Sequence, residues 1–421
     1  MDPQSGVPPP EKLIRPVMPE LDSLRGAAIL LVVFFHGFDL PGGMNNFAGP
    51  ARLFIFAILT GWTGVYLFFV LSGFLITGIL LDSKPKPHYY RRFYIRRALR
   101  ILPAYYLVLL ILCILPLTGW LDHRRIGGPF IALSFAYLSN VTELFGVPAQ
   151  YFVLWSLAVE EHFYLLWPTV VHAFSRRSVI WCAAGICLAC PVIRAVGFRF
   201  GYDMAAGYTW YVADSLALGA LMGACSRGAL AHRRPMRLFS LGCLLSAIAL
   251  LTIGTPFGIW QGSTFCGVTF RRSAVNLFFA GVLGITLLLG ASRFKWIVQR
   301  PLLQWFGTIS YGLYLIHMLA FDVVDHWLAR LFPGLPAQIP SHLGLMFLRF
   351  AASMAIAVTL AFLSRQYFEE WFLGLKNRMT PTISSSTAIT VDLQKRFDLA
   401  PRHSLGSPPV DDERKPMKKD D

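Results

Sequence analysis

Apolar runs of about twenty residues recur along the whole chain, and they constrain its fold more than any motif does. A helix needs roughly 20 apolar residues to cross the roughly 30 Å hydrocarbon core of a bilayer. Such runs occupy about 24–40, 62–81, 99–117, 155–174, 178–197, 208–225, 237–256, 274–291, 304–325 and 344–364. The 421-residue chain is 55% hydrophobic and only 14% charged, with mean hydropathy +0.54, too apolar for a soluble protein of this size. The expected fold is all-α: a polytopic helical membrane protein with about ten transmembrane helices plus a re-entrant or interfacial segment.

The formal net charge of +15 would suit a nucleic-acid partner. The Lys and Arg, however, sit in short loops between apolar runs, where they act as topology signals. The partner they point to is the lipid bilayer, not nucleic acid. Residues 1–19 form a Pro-rich polar leader without a cleavage pattern after the first apolar run. Residues 20–370 form the membrane domain, and 371–421 read as a disordered cytoplasmic tail. Cys187 and Cys190 make a C-x-x-C inside an apolar run with no second pair nearby, so neither metal nor redox chemistry is expected there.

The segment 129–141 is apolar but short, and charge counting decides its role. If it does not cross and the N-terminus is cytoplasmic, the cytoplasmic loops carry 16 Lys/Arg and the external loops 7; if it crosses, the split is 11 to 12. The positive-inside bias favours ten spans with both termini cytoplasmic. Small-residue faces at Gly219-x-x-x-Gly223 and Gly281-x-x-Gly284 suit close helix packing.

Ionisable residues inside such runs are costly and usually face a bundle interior or a wet cavity. Arg25 and His36 are 11 residues apart, so they share one helix face about 16 Å apart along the axis. Arg91, Arg92, Arg96, Arg97 and Arg100 cluster at the cytoplasmic mouth of the third span. Guanidinium forks bind phosphate bidentately, although the same charges would serve topology or contact with anionic lipid. Glu160 and Glu161 open the fourth span, where a capping role is also open to them. With Asp214, His317, Asp322 and Asp325, these residues predict a polar cavity within the bundle.

Five blocks together carry a resemblance. They are Leu21-Asp22-Ser23-Leu24-Arg25-Gly26 with His36, then Phe68-Phe69-Val70-Leu71-Ser72-Gly73-Phe74-Leu75-Ile76, then Arg96 to Tyr106, then Trp155-Ser156-Leu157-Ala158-Val159-Glu160-Glu161, and finally Gly307 to His317. In this order, from about 20 to 370, the chain resembles the acyltransferase 3 family of integral membrane O-acyltransferases, many of which acetylate bacterial surface or exported glycans, O-antigen and lipopolysaccharide among them. His162 stands where the family often has glutamine. Some relatives carry an extracytoplasmic esterase-like domain after the last span. Here only the short tail follows, so transfer to the acceptor is expected to be completed by the membrane domain or by a separate protein.

The resemblance implies an acyl-CoA donor, commonly acetyl-CoA, bound from the cytoplasm without a metal. It implies a hydroxyl acceptor on an exported or lipid-linked glycan, and the cytoplasmic (inner) membrane of a bacterium. His36 and Arg25 resemble the family's essential histidine and arginine, and Glu160 and Glu161 are further catalytic candidates. Histidine can serve as base or nucleophile near neutral pH. Arg96, Arg97 and Arg100 are placed to hold the phosphates of CoA, and Ser72 or a backbone amide of the second span to donate to the developing oxyanion. A proton-coupled transporter would also need intramembrane His, Glu and Asp. It has no need of a dense arginine cluster, and no inverted repeat is apparent. A non-catalytic membrane scaffold has no use for a histidine facing the same way as Arg25.

Overall fold

The computed structural model describes residues 13–39, 46–115, 126–201, 207–335 and 338–379. In chain order the helices are α1 (Pro19–Phe38), α2 (Gly49–Leu59), α3 (Gly64–Ser83), α4 (Tyr89–Ile114), α5 (Gly128–Phe135), α6 (Leu154–Ala173) and α7 (Arg176–Arg199). They continue with α8 (Thr209–Cys225), α9 (Arg233–Gly254), α10 (Phe265–Gly290), α11 (Lys295–Val298), α12 (Pro301–Leu331), α13 (Leu343–Leu363) and α14 (Glu370–Met379). Among the described residues there is no strand.

Among the described residues each of the ten expected spans is helical, residues 40, 116 and 117 lying outside them, and eight helical stretches are long and apolar enough to cross a membrane. The other two are α6, diluted by Glu160, Glu161 and His162, and α8, which has only 17 residues. The short segment at 129–141 contains α5, eight residues long. Eight residues rise about 12 Å, well under half the hydrocarbon thickness, so α5 does not span it. It leans on α4, where Tyr105 donates to the Ser134 carbonyl at 2.7 Å.

Two boundaries differ from the sequence reading. The arginine cluster is not a loop before a helix: it occupies the first turns of α4, which runs unbroken from Tyr89 through Pro103 to Ile114. At the other end, a π-helical turn (Ser364–Glu369) leads into α14, so the chain stays helical through Met379. The leader before residue 13 and the tail from 380 lie outside the described residues.

Glycines set how closely the central helices approach. A Cβ on Gly26 would stand 1.9 Å from the Leu303 carbonyl oxygen, and one on Gly307 2.1 Å from that of Asp22. Only bare backbone fits between α1 and α12, as expected for small-residue packing in lipid. On the other flank, Gly73 meets the Leu216 carbonyl and Gly219 that of Val70, which locks α3 to α8. Gly223 packs on Phe74 of α3, and Gly281 and Gly284 pack on Ser240 and Leu244 of α9, so both predicted small-residue faces are helix contacts. Helix α1 thus lies between α12 and α3, its Arg25–His36 face turned inward.

Candidate active site

Three cavities follow α3 from its C-terminal end to its N-terminal end. The first is a vestibule of about 400 Å³ beside the start of α4, lined by Arg92, Arg96, Arg97 and Arg100 with Lys86 and Tyr89. The second is a central cavity of about 100 Å³, lined by Arg25, Ser72, Arg97, Arg100, Glu160 and Glu161 over an apolar floor that includes Phe68 and Leu75. The third, about 170 Å³, holds His36 among Trp62, Tyr66, Trp155, Arg272 and Tyr314. Neighbouring cavities share walls. Arg97 and Arg100 line the first and second, and Val65 and Tyr314 the second and third.

In the central cavity the Ser72 hydroxyl donates to Glu160 Oε1 at 2.8 Å. The Tyr164 hydroxyl donates to Glu160 Oε2 at 2.9 Å and lies 3.2 Å from Ser72 Oγ. Both carboxylate oxygens are thereby satisfied, which holds Glu160 in one orientation. The Arg97 guanidinium sits over the Tyr164 ring, 4.9 Å from its centroid, a cation–π contact. Arg25 is steadied by its own helix, 2.6 Å from Asp22 three residues earlier. The result is a cavity in which arginines of α1 and α4 share the lining with fixed hydroxyl and carboxylate groups of α3 and α6.

His36 is part of a pair. Its Nδ1 lies 3.1 Å from Nε2 of His317 on α12, whose Nδ1 lies 3.1 Å from the Leu313 carbonyl one turn back. Tyr314 flanks them. Its hydroxyl is 2.5 Å from Ser156 Oγ and donates to the Val153 carbonyl at 3.1 Å, so the ring is pinned to the start of α6.

The structure therefore brings Arg25, Ser72, Arg97, Arg100, Glu160 and Glu161 around one cavity. His36 lies in the next cavity along, and Arg96 lines the vestibule but not the central cavity. His162 turns away, its Nδ1 2.8 Å from Thr209 Oγ1 at the start of α8. Tyr164, Tyr314 and the pairing role of His317 are absent from the sequence reading. The helical spacing carries a signal for each: Tyr164 is four residues after Glu160, and Ser310, Tyr314 and His317 recur at the three- and four-residue steps of one face. Two ionisable residues expected in the cavity belong elsewhere. Asp214 is buried against Arg194 at 3.0 Å, and Asp325 takes a two-pronged bond from Arg349 at 2.6 and 2.7 Å. Buried charges persist when paired and hydrogen-bonded; Asp214 is such a charge, and in the second pair the buried partner is Arg349 while Asp325 is partly exposed.

Residues 18–365 match the family model described as the acyltransferase domain. The chain belongs to the acyltransferase 3 family. Peptidoglycan O-acetyltransferase OatA of Listeria monocytogenes serovar 1/2a is 30% identical over 328 residues, 72% of this chain and 49% of that protein. YrhL of Bacillus subtilis (strain 168) is 31% identical over 333 residues, 71% of this chain and 48% of that one. O-acetyltransferase OatA of Staphylococcus aureus (strain NCTC 8325 / PS 47) is 30% identical over 195 residues, 40% of this chain and 28% of its own length. The chain thus spans about half the length of the first two relatives. No solved structure matches it.

Proposed function

We propose that this integral membrane protein is an O-acyltransferase that moves an acetyl group from cytoplasmic acyl-CoA to a hydroxyl of peptidoglycan or another exported glycan. The observation that carries the reading is the run of cavities: cationic vestibule, narrow polar passage, histidine chamber, each sharing wall residues with the next. A nucleotide thioester has the matching shape. It has a phosphate-bearing head that suits Arg92, Arg96, Arg97 and Arg100, a thin arm that suits the passage past Ser72 and Glu160, and a reactive carbonyl at the tip. Arg25 and His36 lie about 16 Å apart along α1, a span the arm has to bridge for the carbonyl to reach His36.

In this reading the acceptor occupies the chamber lined by Trp62, Trp155 and Tyr66. His36 takes the proton of the acceptor hydroxyl, the oxygen attacks the thioester carbon, and the carbon–sulfur bond breaks. The departing thiolate takes up a proton, and His36 returns its own to solvent. The loop arginines and lysines support a cytoplasmic vestibule and cytoplasmic termini, by the positive-inside bias. The cytoplasmic membrane of a bacterium is the site that the relatives' names suit.

The test uses purified protein in liposomes, acetyl-CoA and a soluble peptidoglycan fragment. The expected result is release of free CoA thiol together with an acetyl mass increment on the fragment. Thiol release without any acetylated product, or neither signal from folded protein, would overturn the reading.

A further inference from the structure

We infer that His317 is a positioning residue that fixes the tautomer of His36, putting the hydrogen on Nδ1 and leaving the Nε2 lone pair to receive the acceptor's proton. The inference rests on the transferase reading for its chemical meaning, but the geometry stands apart from it.

A backbone carbonyl accepts and never donates, so the 3.1 Å contact between His317 Nδ1 and the Leu313 oxygen requires the hydrogen to be on Nδ1. A neutral imidazole carries one N–H, so His317 Nε2 holds a lone pair. That nitrogen faces His36 Nδ1 at 3.1 Å, and two lone pairs cannot form the bond, so His36 Nδ1 donates. His36 then has its remaining lone pair on Nε2, and the residue lines the chamber with Tyr314 and Trp155. The alternative, a doubly protonated His317, would put a cation on a side chain with no exposed surface. Among the described residues no carboxylate forms an ion pair with it, and an unpaired charge there is strongly disfavoured.

The fold keeps this relay in register. His36 and His317 are 281 positions apart in the chain. They meet because α1 and α12 touch backbone to backbone at Gly26 and Gly307. One end of the pair is anchored in the α12 ladder through Leu313, so the His36 ring has one preferred orientation before any acceptor arrives. A base already in the right tautomer avoids a proton rearrangement in each cycle.

Nitrogen-15 NMR of histidine-labelled full-length protein in detergent or nanodiscs reads the tautomer directly, with His36→Ala assigning the resonance. The expected signature is a pyrrole-type Nδ1 and a pyridine-type Nε2 on His36. His317→Leu should lose this preference and lower kcat about 10²-fold, within the range of general-base effects, with acyl-CoA binding unchanged. His317→Gln keeps an acceptor oxygen near the position of Nε2 and should recover the tautomer and most of the rate. An Nε2–H signature on wild-type His36, or equal kcat for the Leu and Gln variants, overturns the inference. If the transferase reading itself is wrong, acyl transfer is missing from wild-type protein while the NMR signature stands, so the two failures are distinguishable.

Discussion

Two clusters of buried charge lie within the same helical bundle, and they are built on opposite plans. Around Arg194 every guanidinium nitrogen is engaged: Nε with the Thr269 carbonyl, Nη1 with that of Tyr211, Nη2 with Asp214 and Ser273, at 2.5–3.1 Å. The arginine has no exposed surface and faces no described cavity. Around Glu160 the side chains are fixed as firmly, but they border space: Ser72, Glu160, Arg97 and Arg25 hold one another or their own helix and still line the passage. A charge inside a membrane protein is therefore not evidence of chemistry by its presence. The sealed cluster is a bolt between α7, α8 and α10; the open one lines a cavity.

The largest separation between the two clusters is expected at His36. His36→Ala should cut acyl transfer by about 10² to 10⁴, with the thermal unfolding midpoint in detergent little changed. Transfer at the parent rate in a folded variant would move the base to Glu160 or Glu161. Arg194→Leu should do the reverse. Leaving Asp214 buried and unpaired costs about 3 to 5 kcal/mol, read as a lower unfolding midpoint and poor yield. The double change Arg194→Leu with Asp214→Leu should recover part of that loss. If the single change is silent for stability and harmful to rate, the sealed cluster belongs to the mechanism after all.

Gly26→Ala tests whether the open region depends on helix contact. Its methyl would need room now held by the Leu303 carbonyl, at a cost of about 1 to 3 kcal/mol. Because the same seam registers His36 against His317, transfer should fall more than stability alone accounts for. The smallest effect is expected in the vestibule. Arg97→Gln should weaken acyl-CoA binding about tenfold, less so at high salt, with Lys only partly restoring it. Arg96→Gln should weaken it less, because Arg96 lines the vestibule but not the central cavity. Equal effects of the two would mean that the cluster acts as diffuse charge.

Much of this was legible in the sequence, for identifiable reasons. Apolar runs of bilayer length gave the ten helices. The eleven-residue step gave the shared face of Arg25 and His36, because helical periodicity is local. Boundaries were less legible where polarity and helicity part company: α4 starts ten residues before its apolar run because Arg91 to Arg100 favour helix as readily as leucine does. The partners of charged residues were not legible at all. Asp214 and Asp325 look like cavity residues along the chain, and only Arg194 and Arg349, brought from other helices, make them structural. The meeting of His36 with His317 is hidden in the same way.

The wall shared by Val65 and Tyr314 has an electrical consequence. The cavities lined by arginine and by histidine approach each other along α3 from opposite ends. Were water to fill both, a voltage across the membrane would fall mainly over the thin partition between them, not over the full hydrocarbon thickness. A unit charge crossing the whole drop changes in energy by about 2.3 kcal/mol per 100 mV. Any proton or charge displaced near Tyr314 and His36 moves through the steepest part of that field, which an energised bilayer imposes and a detergent micelle does not.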